Sequence, residues 1–191
     1  MSPLADWRVA QHSDRGALGV FECAIPPKPI KNAATGYKLD HPRMWEYEVQ
    51  SWIRGLSSKV PCRPPMRVYV LEDEVGLAAV ICWTELEGPA WVHVDVIGVA
   101  LRHRRSGGDV ARAVMRAAFQ EMESAALDIG AGELYIEGEI WHENDASQAL
   151  ASDGKLQMVV KHETGAQTWS LRVALEGAEF DGEGELDAAR N

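Results

Sequence analysis

The sequence predicts a mixed α/β domain, and three observations carry that prediction. Two segments, 45–56 and 110–122, place apolar residues at helical spacing. Four runs between residues 66 and 140 are rich in β-branched residues and are separated by acidic or glycine-containing breaks. Two further strand-like runs, 156–161 and 168–175, close the chain as an antiparallel pair. The 191 residues are 46% hydrophobic and include seven Trp, enough for one domain with its own core over residues 1–175.

Taken in order, residues 7–10 suit a short first strand. Residues 13–22 open on the capping residue Ser13 and carry Ala17, Leu18 and Phe21, a short helical stripe. Residues 24–43 hold four prolines and little periodicity, so they read as one long loop, a lid or a substrate wall. In the next helix Trp45, Val49, Trp52, Ile53 and Leu56 form one apolar face between Pro42 and Gly55. Strands then follow at 66–71 and 76–85 around an acidic turn at 72–74, and at 90–100 after Gly88-Pro89. A helix with Val110, Val114, Ala117, Ala118 and Met122 on one face runs to the glycines at 130 and 132. A strand at 134–140 and a short helix at 145–152 precede the closing pair. The acidic, glycine-rich residues 176–191 read as a disordered tail.

Composition excludes several classes. No apolar run reaches the roughly 18–20 residues that cross a bilayer, and the first residues lack the pattern of a secretion signal. Cys23, Cys62 and Cys82 are odd in number, widely spaced and without a C-x-x-C pair, so they read as small buried residues in a reducing, cytoplasmic compartment. A net charge of -10 opposes non-specific attraction to nucleic acid or anionic lipid. That charge is uneven. The tail holds six acids and one base, a net -5, which leaves -5 on the domain, while Arg102, Arg104, Arg105 and Arg112 crowd one glycine turn.

The turn is the segment with chemistry in it. A strand delivers the chain into Arg104-Arg105-Ser106-Gly107-Gly108, and a helix follows with Asp109, Val110 and Ala111 in its first turn. Unpaired amides at a helix start, together with the helix dipole, make a receptor for a pyrophosphate. Arginines beside it add permanent positive charge with fork geometry. Neither G-x-x-x-x-G-K-[ST] nor G-x-G-x-x-G occurs, which sets aside P-loop and dinucleotide-binding readings.

Residues 97–111 resemble the acetyl-CoA-binding motif of the GCN5-related N-acetyltransferase (GNAT) superfamily, a strand followed by [Q/R]-x-x-G-x-[G/A] at a helix start. Arg104 and Gly107 match its first two fixed positions. The third falls on Asp109, whose carboxylate is expected to point away and cap its own helix, with Ala111 as the alternative match. Residues 141–154 resemble the family's second CoA-contacting segment, N-x-x-A-x-x-x-Y. Asn144 matches, Ser147 replaces the small residue, and Ala151 stands where the family carries the Tyr that commonly protonates the departing thiolate.

The resemblance spans residues 66–175 and implies a mostly antiparallel central sheet with a V-shaped splay between two central strands, flanked by helices on both faces. It implies acetyl-CoA as acyl donor, a ternary complex with an amine acceptor, and thioester contacts to backbone at Ile97, Gly98 and Val99. Arg104 to Ala111, with Asn144 and Ser147, would hold CoA. His93 and Asp95 fall where several family members place a base; strand alternation puts both on one face with Ile97, opposite Val92, Val94 and Val96. Both also read as polar residues of a wet sheet face. No third ligand accompanies His93 and Asp95, so no metal is expected. Glu85, His142, Glu143, Tyr37, Trp45 and Trp52 are candidates for the acceptor's surroundings, and the acidic domain suits a cationic amine. Two alternatives remain: a weakly catalytic CoA-binding module, and a toxin-like enzyme acting on charged tRNA, which the acidic charge disfavours. Homodimers are common in the family, but no stretch specifies an interface.

Overall fold

The computed structural model describes residues 7–28, 30–31, 39–104 and 108–175. Seven strands form one sheet in the order β1-β4-β5-β6-β7-β9-β8. They are β1 (Arg8–Val9), β4 (Met66–Asp73), β5 (Gly76–Glu85), β6 (Trp91–Val99), β7 (Glu133–Trp141), β8 (Gln157–Lys161) and β9 (Ala166–Ala174). Only β6 and β7 run parallel, because α3 (Asp109–Asp128) carries the chain back across the sheet between them. Every other pairing is antiparallel. Among the described residues no helix is long and apolar enough to cross a membrane.

Two cores sandwich the sheet. On one face α1 (Arg15–Gly19) and α2 (Met44–Leu56) lay Leu18, Ile53 and Leu56 on Val68, Val70, Val80, Cys82 and Val96. On the other, α3 buries Val110, Val114, Ala118, Met122 and Ala126, spaced by four residues, against Ile81, Trp83, Val92, Leu134 and Ile136. A smaller cluster packs Ala151 of α4 (Asp145–Asp153) against Leu156 and Trp169.

The structure departs from the sequence reading in three places. The long loop contains two short antiparallel strands, β2 (Ile30–Lys31) and β3 (Leu39–Asp40). It is pinned from α2, where fully buried Gln50 accepts from the Cys23 and Ala24 amides and donates to the Pro27 carbonyl at 2.7 Å. Buried His41 completes the pinning, its Nε2 at 2.8 Å from the Pro26 carbonyl. The first helix starts earlier and in two pieces: a 3-10 turn, His12–Asp14, precedes α1 because the Asp14 carboxylate accepts the Gln11 amide and two bonds from Arg8. The acidic segment after Leu71 is still strand, since Glu72 and Asp73 pair with Leu77 and Gly76. Residues 176–191, read as a tail, lie outside the described residues.

Candidate active site

The site begins where two central strands part. β6 pairs with β7 only from Trp91 to Val94, opposite Tyr135 to Gly138. Beyond that point β6 pairs with β5 alone and β7 with β9 alone, so the backbone of Asp95 to Val99 faces a V-shaped opening. The cause is a bulge. Cys82 opposes Val96 and Trp83 opposes Val94, which leaves Asp95 as an extra residue one step past the last β6–β7 pair. Such an insertion bends its strand and strengthens the local twist, turning β6 away from β7.

The bulge also resets which residues share a face, and this corrects the simple alternation. Val92 and Val94 pack toward α3, but Ile97 and Val99 join them there. Val96 lies on the α1/α2 face, where Gly98 also sits against Ile53 and Phe21. Asp95 reaches the α1/α2 face too, accepting from Thr84 Oγ1 at 2.7 Å and from Cys82 Sγ at 3.6 Å. Burial first, and the Asp95 carboxylate next, push the Cys82 thiol well above its ordinary range, so it stays a protonated donor. The buried thiol of Cys23 is likewise pushed up to about 12 by burial. Neither is a thiolate nucleophile.

His93 sits at the apex of the V. Its Nδ1 lies 3.3 Å from Glu137 Oε1, and the two are register partners across the parallel pair. A carboxylate only accepts, so the bond requires the proton on Nδ1 and leaves Nε2 as the basic nitrogen. Both side chains remain about a quarter exposed, within reach of solvent and ligand. Glu137 was missed from sequence. Its alternation with buried Leu134 and Ile136 places it off the α3 face, but its pairing with a residue 44 positions earlier depends on the parallel register.

The glycine turn sits at the wide end of the V. Gly108 is the residue before α3 and holds φ +83°, a left-handed conformation that side chains avoid. As a glycine it brings no side-chain cap to the first turn of this 20-residue helix. Val110 is buried and Ala111 half-buried behind this turn. Asp109 does not cap its helix. It is the first helical residue, and its carboxylate turns aside to Arg112 Nη2 at 2.6 Å. Arg104 points toward α2, where its Nη1 meets Glu46 Oε1 at 2.7 Å, an oxygen shared with Arg43. Arg105, Ser106 and Gly107 lie outside the described residues.

The turn is braced by Asp73 at the β4–β5 corner. Its carboxylate accepts Arg102 Nε and Nη2 at 2.9 and 2.8 Å and lies 2.6 Å from His103 Nε2. It also takes the Val75 and Gly76 amides. Burial pushes this carboxyl up, but the bonds from His103, the Val75 amide and Arg102 outweigh it and hold the pKa down to about 2.

At the second segment Asn144 and Ser147 come together, though with each other: Asn144 caps α4 by accepting the Ser147 amide at 3.2 Å. Ala151 is buried against Leu156 and Trp169. Of the acceptor-side candidates, Glu85 is held by Arg67 at 2.8 Å. Trp45 and Trp52 are half-buried on α2, with Lys59 Nζ 5.3 Å from the Trp52 ring. His142, with Lys161, His162, Glu163, Thr164 and Gly165, lines an open groove at the far end of β7, and Glu143 is exposed beside it. Tyr37 lies outside the described residues. Among the described residues no three His, Cys, Asp or Glu side chains come together as a metal site.

No family model matches the sequence, and no curated protein does. Solved structures do match. The paia N-acetyltransferase of Thermoplasma acidophilum, in complex with coenzyme A, aligns at TM-score 0.63 and 8% identity over 88% of this chain and 98% of its own. A GNAT-family acetyltransferase of Streptococcus pneumoniae aligns at 0.58 and 10% identity, covering 88% and 99%. A spermidine N-acetyltransferase chimera from Vibrio cholerae and hSSAT aligns at 0.55 and 16% identity, covering 89% and 95%. With its splayed central strands and the glycine turn beside them, the chain has the fold of the GCN5-related N-acetyltransferases.

Proposed function

We propose that this protein is an acyl-CoA-dependent N-acyltransferase that moves acetyl from acetyl-CoA to a primary amine of a small molecule or protein in a ternary complex. One observation carries the reading: the V between β6 and β7 has the His93 imidazole at its apex and a glycine-led helix start at its mouth. The residues present fit CoA. The β7-facing side of the β6 backbone from Asp95 to Val99 can hydrogen-bond an extended pantetheine chain, and the α3 amides with Gly108 can take a pyrophosphate. Arg112 stands beside that turn, and Arg104 can reach it by leaving Glu46. CoA, when bound, supplies an acyl group activated as a thioester.

The protein's part is to orient the amine and remove a proton. His93 Nε2 takes the proton from the incoming ammonium, directly or through a water. Glu137 holds the ring in that tautomer and stabilises the imidazolium that results. Asp95 and Glu137 place two carboxylates near the apex, which favours a cationic acceptor, as does the net charge of -10. The free thiols of Cys23, Cys62 and Cys82 suit a cytoplasmic setting.

A second reading has one observation behind it. With Ala151 buried where the family carries Tyr, that position offers no hydroxyl to protonate the thiolate, which suits a CoA-binding module without turnover. Titration calorimetry with acetyl-CoA and an assay of free CoA release over a panel of amines separate the readings. The enzyme binds acetyl-CoA and releases CoA with at least one amine. Binding without release supports the module, and absence of binding overturns both.

A further inference from the structure

The Asp95 carboxylate is bound on one oxygen only. Its Oδ2 accepts both the Thr84 hydroxyl at 2.7 Å and the Cys82 thiol at 3.6 Å. Its Oδ1 has no hydrogen bond among the described residues, and it is not one of their buried unpartnered atoms, which are Trp7 Nε1 and Glu46 Oε2. That oxygen is therefore open to solvent and ligand. Its place follows from the register. Thr84 is the cross-strand partner of His93, and side chains opposite each other on antiparallel strands stand about 5 Å apart. A carboxylate on the Thr84 hydroxyl thus lies beside the imidazole. Asp95 is also the extra residue of the β6 bulge, with no opposite number on β5. Its side chain is set by these two bonds and not by a ladder neighbour.

We propose that Thr84, with Cys82, is a positioning residue for the acceptor: by holding Asp95 Oδ2 it turns Oδ1 to the apex of the V, where Oδ1 binds the protonated amine. The inference rests on the acyltransferase reading and narrows it to acceptors that bind as cations. An ammonium held by Oδ1 gives one proton to His93 Nε2 and keeps two N–H groups. One of these stays on Oδ1, so the amine is held in place once it has become a nucleophile. An alcohol of the same shape brings no charge to the carboxylate and binds more weakly.

Steady-state kinetics of the full chain with butylamine, phenethylamine and a lysine peptide test it. The matching alcohols, butanol, phenethyl alcohol and a hydroxynorleucine peptide, serve as competitive inhibitors, and circular dichroism verifies that each variant is folded. Thr84→Val keeps the shape and loses the hydroxyl. It should raise the KM for the best of these amines about tenfold, with a smaller change in kcat and the wild-type Kd for acetyl-CoA. Thr84→Ser should restore the KM. Asp95→Asn must turn its NH2 to the apex to keep the Thr84 bond, so it should raise the KM about a hundredfold and abolish the preference for amine over alcohol. A wild type that releases no CoA with any of the amines overturns the acyltransferase reading and this inference with it. With an active wild type, an unchanged KM in Thr84→Val, a Thr84→Ser no better than Thr84→Val, or an Asp95→Asn that still prefers the amine overturns this inference alone.

Discussion

Asp73→Asn should destabilise the protein at neutral pH and lose that effect in acid. The Asp73 carboxylate, 21% exposed, holds the Val75 and Gly76 amides of the β4–β5 corner together with Arg102 and His103 from the chain that leads into the glycine turn. Asparagine keeps one oxygen for the corner amides but forfeits the charge and the second acceptor. The drop in pKa from 3.8 to about 2 corresponds to about 2.4 kcal/mol at 1.36 kcal/mol per unit. Solvent screening of a partly exposed pair lowers that to about 1–2 kcal/mol. A depressed carboxyl contributes in full above its unfolded pKa and loses its contribution as pH falls through the folded one. The stability gap between wild type and variant should therefore be constant from neutral pH down to about 4 and shrink toward zero near 2. Urea unfolding followed by tryptophan fluorescence reads the gap directly, and because both proteins share every other titrating group, the difference isolates Asp73. The KM for acetyl-CoA should rise as the turn loosens. A gap of the same size at pH 7 and pH 2.5 would show that packing, not the ionised carboxylate, makes the brace, and the reasoning would fail.

Three further outcomes follow from the same structure. His93→Ala should lower kcat by about a hundredfold or more, while Glu137→Gln, which leaves the ring in place, should lower it less; an unchanged kcat in both would clear both residues. Gly98→Val should cost about 1–3 kcal/mol in thermal unfolding, because a Cβ there would run into Ile53 Cδ1 and come within 3.2 Å of Phe21 Cε1 where α2 crosses β6. Gln50→Ala should cost about 1–3 kcal/mol and speed proteolysis within residues 24–43, since it strands the Cys23 and Ala24 amides and the Pro27 carbonyl; a neutral result would mean water replaces the amide.

Much of this fold is local in origin and was legible as such. Each helix of more than two turns is visible as an apolar stripe whose spacing concerns residues within a turn or two of one another, as in Val110, Val114, Ala118 and Met122. The strands from 66 to 174 are visible as β-rich runs between breaks, and the glycine turn before Asp109 is visible from composition alone. The α1 region and the 24–43 loop read less well because distant groups organise them: Arg8 on Asp14, and Gln50 and His41 on the backbone near Pro26.

The sequence by itself determined the elements, their order, the uneven charge and the residues from which a site is drawn, because those properties depend on neighbours along the chain. Only the tertiary structure decided the arrangement of the site. The bulge at Asp95 turned Ile97 to the opposite face, and an alternation rule cannot anticipate an extra residue that is defined by pairing with β5. The parallel register joined His93 to Glu137, Glu46 took hold of Arg104, and packing against Leu156 and Trp169 buried position 151. Each of these joins segments separated by a helix or more, and such contacts are set by how the layers pack and not by any pattern within one segment.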